Sequence, residues 1–124
     1  MAARLVYFDT AGPDLATQAA FYRSIFDWDI GPDGGFSTPV LTPMRASLRV
    51  EDASSGAVAE RVLYIGVPDI TETLAHITAQ GGAIVFPRLE VPGVVILALF
   101  TDPAGNRMGL IETEQGLPKV PDQT

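Results

Sequence analysis

Cysteine is absent from this chain and histidine occurs once. The first absence excludes disulfides, thiolate zinc sites and a cysteine nucleophile. The second leaves His76 without partners for a metal ligand set or a Ser-His-Asp arrangement, so it reads as a solvent-side helical residue. No stretch approaches the roughly 20 apolar residues that a helix needs to cross a bilayer, and no membrane partner is expected. The opening residues, MAARLVYFDTAG, reach a strand-like pattern too soon for a secretory signal. A cytoplasmic protein is the expectation. Positive charge is scarce as well: the net charge is −7 and the pI is near 4.4. An acidic surface repels phosphate backbones, so nucleic acid is not an expected partner.

What is present suits one globular domain. The 124 residues are 47% hydrophobic and 19% charged, an ordinary composition for a packed core. Arg4 to Thr10 alternates like a strand. Asp14 is placed to cap a helix over LATQAAFYRSIF, whose Leu15, Ala19, Tyr22 and Phe26 recur at helical spacing. After the turn cluster GPDGG, FSTPVLT and RASLRV read as two further strands. Glu51–Glu60 is small, polar and unpatterned, a linker. The order then starts again: strand VLYIGV, a capping box at Asp69 and Glu72, helix ITETLAHITAQ, a Gly81-Gly82 stop, then strands AIVF, VVILALF and RMGLIE. The continuously apolar VVILALF reads as a central strand or part of a dimer contact. The last residues, from 114, read as a flexible tail.

Laying Pro13-Asp14-Leu15 on Pro68-Asp69-Ile70 also lays Tyr7 on Val62, so the chain is a repeat of pattern. Two βαβββ modules, about 4–50 and 61–113, imply an α+β fold: a cup-shaped mixed sheet with helices on its outer face. Strand alternation assigns the faces. Leu63, Ile65, Val67, Met108 and Leu110 are placed under the helices. Tyr7, Asp9, Tyr64, Arg107 and Gly109 are left on the opposite face, as a candidate ligand cleft. Glu112 stands three residues from Gly109 and therefore faces the other way.

In the order and spacing of DLATQAAFY, IFDW, YIGVPDI, QGG and DPAGN, the chain resembles the vicinal oxygen chelate superfamily: glyoxalase I, bleomycin-resistance proteins and extradiol dioxygenases. The resemblance covers about Arg4 to Glu112 and implies a cup closed by both modules. It also implies a divalent metal in that cup, held at first-strand positions that are here Tyr7 and Val62 and at a last-strand glutamate that is here Gly109. The equivalent position in the first module falls within Met44–Val50, which contains no His, Glu or Asp. Valine and glycine offer no donor, and a tyrosine phenol stays protonated near neutral pH. No metal and no other cofactor is therefore expected, and metal-dependent lyase or dioxygenase chemistry is disfavoured.

The expected function is the binding of a small organic molecule in the cup by a homodimer, with Tyr7, Asp9, Val62, Tyr64, Arg107 and Gly109 as ligand-binding positions. The alternative is a metal-free lyase or isomerase in which Asp9 is the base and Tyr7 the hydrogen-bond donor, or an enzyme with a non-standard metal site. Against the catalytic role stands a simple pairing of Asp9 with Arg107 across the sheet. Arg45, Arg49 and Arg107 suit either an anionic ligand or the charged edges that discourage aggregation. Trp28 reads as closing the apolar end of the first helix rather than stacking a ligand.

Overall fold

Two aspartates start two helices. In the computed structural model, which describes residues 1–49 and 59–123, the Asp14 carboxylate accepts from the Thr17 N–H at 3.2 Å and opens α1, Leu15–Phe26. Asp69 accepts from the Glu72 N–H at 3.0 Å and opens α2, Ile70–Ala79. Such caps satisfy N–H groups that a helix leaves free at its start. α1 ends at Asp27, left-handed at φ 58°, a conformation aspartate tolerates better than most residues. The Arg23 guanidinium then donates to the Ile30 carbonyl through Nε at 3.0 Å and Nη2 at 2.6 Å, closing the loop behind the helix. At the end of α2, Gly81 has φ +96° and the Gly82 N–H reaches back to the Ile77 carbonyl at 2.9 Å. A Cβ on Gly82 would strike both Ile77 and the Thr101 carbonyl.

The strands are β1 (Tyr64–Val67), β2 (Ala83–Val91), β3 (Val95–Thr101), β4 (Arg107–Glu114) and β5 (Leu117–Pro118). Their order is β1-β4-β3-β2, with β1 parallel to β4, the other neighbours antiparallel, and β5 paired with the end of β4. This is the βαβββ order expected of the second module. β3, from the VVILALF run, is central. Ile96, Ala98 and Phe100 of β3, with Met108 and Leu110 of β4, meet Ile70, Leu74 and Ile77 of α2 and Phe21 and Tyr22 of α1. The largest fully buried side chains are Phe21, Phe100, Ile70, Ile77 and Leu110, each worth roughly 1.5–3 kcal/mol in apolar surface removed from water. Trp28 stacks on Tyr22 at 5.5 Å and on Phe36 at 5.1 Å, closing the end of α1. The fold is α+β, with the helices packed on one face of a mixed sheet that does not close.

The first module departs from its expected βαβββ form. Residues 4–10, 36–42 and 45–49 alternate like strands but form no ladder among the described residues. Leu5, Val6 and Tyr7 are 77%, 89% and 83% exposed. Alternation reports a propensity. A strand is held only by a neighbour to pair with and a face to bury, and neither is supplied among the described residues. Local contacts place this region instead. Phe8 meets Phe36 edge-on at 6.2 Å, and the Asn106 side-chain amide donates to the Ala11 carbonyl at 2.7 Å. Most of the linker read at Glu51–Glu60 lies outside the described residues. The segment read as a flexible tail carries a hairpin: Gln115 and Gly116 have positive φ, β5 pairs with β4, and the Lys119 N–H donates to the Glu112 carbonyl at 2.9 Å. No helix among the described residues is long and apolar enough to cross a membrane.

Two buried carboxylates tie these layers together. Asp102, in the β3–β4 turn, accepts from Gln18 Nε2 (2.9 Å), the Tyr22 hydroxyl (2.8 Å) and Asn106 Nδ2 (2.9 Å) on one oxygen. Its other oxygen accepts from the Ala104 and Asn106 N–H groups. Glu112, on the helix side of β4, accepts from the first N–H of α2 at Ile70 (3.1 Å), from Arg88 through Nε (3.0 Å) and Nη2 (2.8 Å), and from Lys119 Nζ (3.4 Å). Arg88 above all holds the Glu112 carboxyl at about 2, against the opposing effect of burial. Burial pushes Asp102 up, but its donors from Gln18, Asn106 and Tyr22 outweigh that and leave it below the ordinary range.

A carboxyl depressed in the folded state stabilises it above the unfolded value, near 4.3 for Glu, and that stability is lost as pH falls through the folded value. The urea midpoint is therefore expected to drop as pH is lowered from about 4.5 to about 2. Glu112→Gln should lower the midpoint at neutral pH and flatten that drop. A midpoint insensitive to pH across this interval in the native chain would contradict the assignment.

Candidate functional site

The sheet face away from the helices is assembled by strand alternation and register. Arg107, Gly109, Ile111 and Thr113 of β4 share it. Across β1, Tyr64 pairs with Gly109; across β3, Leu99 pairs with Gly109 and Leu97 with Ile111. This floor is apolar, and its middle is backbone. The Gly109 N–H donates to the Leu63 carbonyl at 2.8 Å. A Cβ on Gly109 would fall on the Tyr64 ring, so the ring lies over the glycine. Gly66 repeats the arrangement, since a Cβ there would come 2.8 Å from the Thr113 methyl. Tyr64 is 45% exposed. One side of its ring covers Gly109, and the rest of the side chain remains open to solvent.

Of the positions read from the sequence, Tyr64 and Gly109 are brought into contact, and Arg107 stands two residues before Gly109 on the same face. Val62 precedes Tyr64 and is partly buried. Tyr7 and Asp9 lie on the exposed first segment, and among the described residues no hydrogen bond or ion pair joins them to Tyr64 or Arg107. Arg107 pairs with Glu60 rather than with Asp9: its Nε is 3.3 Å from Glu60 Oε1. Arg49 Nη2 lies 3.3 Å from Glu60 Oε2. Arg45 makes no ion pair among the described residues. The sequence pattern places Glu60 in the linker. Its signal was parity: Glu60, Val62, Tyr64 and Gly66 are alternate residues, so a strand face extended back from β1 includes it.

The residues present do not fit the metal that the resemblance implies. Gly109 has no donor and is covered by an aromatic ring, Val62 has no donor, and Glu112 is engaged on the helix face. Among the described residues no group of three His, Cys, Asp or Glu side chains is placed to hold an ion. His76 is exposed on α2, with its Nε2 3.3 Å from Ser24 Oγ. It borders an open cleft of about 220 Å³ between the helices, lined also by Ile25, Asp69 and Glu72. That cleft is on the outer side, remote from the floor.

No family model matches the chain. The anthracycline biosynthesis protein DnrV of Streptomyces peucetius is 26% identical over 119 residues, which cover 80% of this chain and 43% of that protein. The chain thus spans less than half the length of the curated relatives it matches. A glyoxalase-related enzyme from Fulvimarina pelagi superposes with a TM-score of 0.58 at 17% identity, covering 90% of this chain and 89% of that one. A glyoxalase/bleomycin resistance protein/dioxygenase family enzyme from Burkholderia phytofirmans gives 0.55 at 13% identity, covering 82% and 91%. With the βαβββ order and the helices on one face, these likenesses establish that the chain has the glyoxalase/bleomycin-resistance/dioxygenase fold, that of the vicinal oxygen chelate superfamily.

Proposed function

We propose that the chain binds a small organic molecule against the open face of its sheet without a metal ion, and that a second copy completes the site. The observation that carries this reading is the Gly109–Tyr64 contact. The position at which the resemblance puts a metal-binding glutamate is a glycine, and an aromatic ring occupies the space above it. A half-exposed tyrosine on an apolar floor suits a flat ligand, since ring stacking adds to burial. The curated relatives are named for anthracycline biosynthesis, which supports a fused-ring aromatic as the ligand class. Dialysed protein is expected to hold far less than one divalent ion per chain, with a melting temperature unmoved by EDTA. Calorimetric titration with anthraquinone should show binding that Tyr64→Ala weakens about tenfold. Stoichiometric metal, or binding indifferent to Tyr64, would overturn the reading.

The second copy is inferred from what the single chain leaves unpaired. Leu5, Val6, Tyr7 and Leu48 are exposed, and the outer edge of β1 carries no partner strand among the described residues. Open edges of this kind recruit strands, and pairing there would bring the Tyr7–Asp9 segment towards the floor. Light scattering is expected to give twice the chain mass, and Val6→Lys to lower it. A monomer at all concentrations would count against the dimer.

An enzymatic reading is favoured by one observation, the biosynthetic role in the relatives' names. In it Asp9 is a general base and Tyr7 a hydrogen-bond donor, with no metal. Once a turnover is found, Asp9→Asn should abolish it. Turnover that survives the substitution would remove Asp9 from that role.

A further inference from the structure

The open face carries a charged cluster at the end where β1 and β4 begin. There, two arginines share one carboxylate. Arg107 approaches one Glu60 oxygen and Arg49 the other, each at 3.3 Å. The Glu60 side chain is 13% exposed, whereas those of Arg49 and Arg107 are 53% and 39% exposed. The carboxylate is therefore inside and the guanidiniums look out. Glu60 Oε2 has no hydrogen bond among the described residues, although Arg49 lies beside it.

The same chain shows how it builds an ion pair for structure. Arg88 grips Glu112 with both a Nε and a Nη2 contact at 3.0 and 2.8 Å, and a backbone N–H and Lys119 complete the set. The Glu60 pairs are longer, more open and incompletely hydrogen-bonded. The arginine ends of these pairs are open to water, which weakens their hold on Glu60 and leaves donor capacity free for another anion. The cluster also sums to a positive charge within a chain of net charge −7, and a local reversal of sign in an acidic protein draws anions to that spot.

Its position supplies the rest. Arg107 precedes Gly109 by two residues on one strand face, which is about 7 Å along the strand. The Tyr64 ring covers Gly109. A fused-ring system lying on Tyr64 thus reaches the arginines with a group on its edge.

We infer that Arg49 and Arg107 form an anion subsite in which Glu60 is a displaceable occupant, and that the ligand is a planar aromatic carrying a carboxylate or equally acidic oxygen. This rests on the small-molecule reading above and names the chemistry of that ligand. Arginine suits the role because its planar fork matches a carboxylate.

The test is calorimetric titration of the full chain with anthraquinone-2-carboxylate and, separately, its neutral carboxamide. The acid is expected to bind at least about tenfold tighter, as one charge-assisted contact would give. Arg107→Gln and Arg49→Gln should each remove most of that preference while leaving carboxamide binding in place. Added salt should weaken the acid alone. Glu60→Gln should tighten the acid, whereas a merely structural cluster would show loss or no change. If Arg107→Gln does not fold, Arg49→Gln, Glu60→Gln and the salt dependence give the same decision. Equal affinity of acid and amide, with both still dependent on Tyr64, would overturn the anion subsite and leave the binding reading standing. Failure of both probes to bind would overturn the two together.

Discussion

The Asp102 carboxylate decides how the first half of the chain meets the second. One oxygen is satisfied inside its own turn by the Ala104 and Asn106 N–H groups. The other accepts from Gln18 and Tyr22, which lie on α1 and far away in sequence. A buried, unpaired carboxylate would cost several kcal/mol, but here donors meet both oxygens. The bond is reciprocal in its effect. Burial first, and the hydrogen bond to Asp102 after it, keep the Tyr22 phenol protonated well beyond its ordinary range, so it remains a donor. The seat is also close-fitting, since a Cβ on Gly12 would come 2.8 Å from the Ala104 methyl. With α1 held there beside α2, one sheet face is closed and the other stays open.

The two faces then follow different rules, and strand parity allots residues between them. On the closed side Glu112 is surrounded by donors and holds β4, β2 and the start of α2 in one place. Arg88 answers it, held more firmly charged by the bonds to Glu112 and Glu90. On the open side the centre is uncharged. Glycines at 66 and 109 allow Thr113 and Tyr64 to lie over the backbone, and the charged groups Arg107 and Glu60 stand towards the end of the strands. A single-residue shift of β4 would exchange Gly109 for a neighbour of opposite facing and expose Glu112. The Tyr64↔Gly109 pairing is therefore as much a constraint on register as on the site.

Much of this was legible in the sequence because it is local or periodic. The caps at Asp14 and Asp69 are side chains bonded three residues on. The Gly81-Gly82 stop is a backbone requirement, and the βαβββ order of the second module follows from period and breakers. The separation of Met108, Leu110 and Glu112 from Gly109 needs nothing but alternation. What was not legible depends on partners. The alternating segments of the first module have the composition of strands but no ladder among the described residues, because pairing is decided at long range. Glu60 was hidden by its bland surroundings, although its spacing from Tyr64 carried the signal. For Arg107 the sequence suggested Asp9 as its acid, and only geometry shows that Glu60 takes that place.

Gly109 gains meaning from this arrangement. A glutamate on the floor of such a site is tolerable when a cation neutralises it; without one, it would be a desolvated charge facing apolar neighbours. With no donor at Val62 to share a cation, an acid at 109 would be a liability, and glycine under a tyrosine ring is a neutral arrangement that also fills the space. The remaining charges stand at the end of the floor, where the Arg49 and Arg107 side chains are open to water around the more buried Glu60. In the binding reading proposed above, recognition divides accordingly. The flat centre would select for shape and aromatic surface, and the arginines at its end for charge.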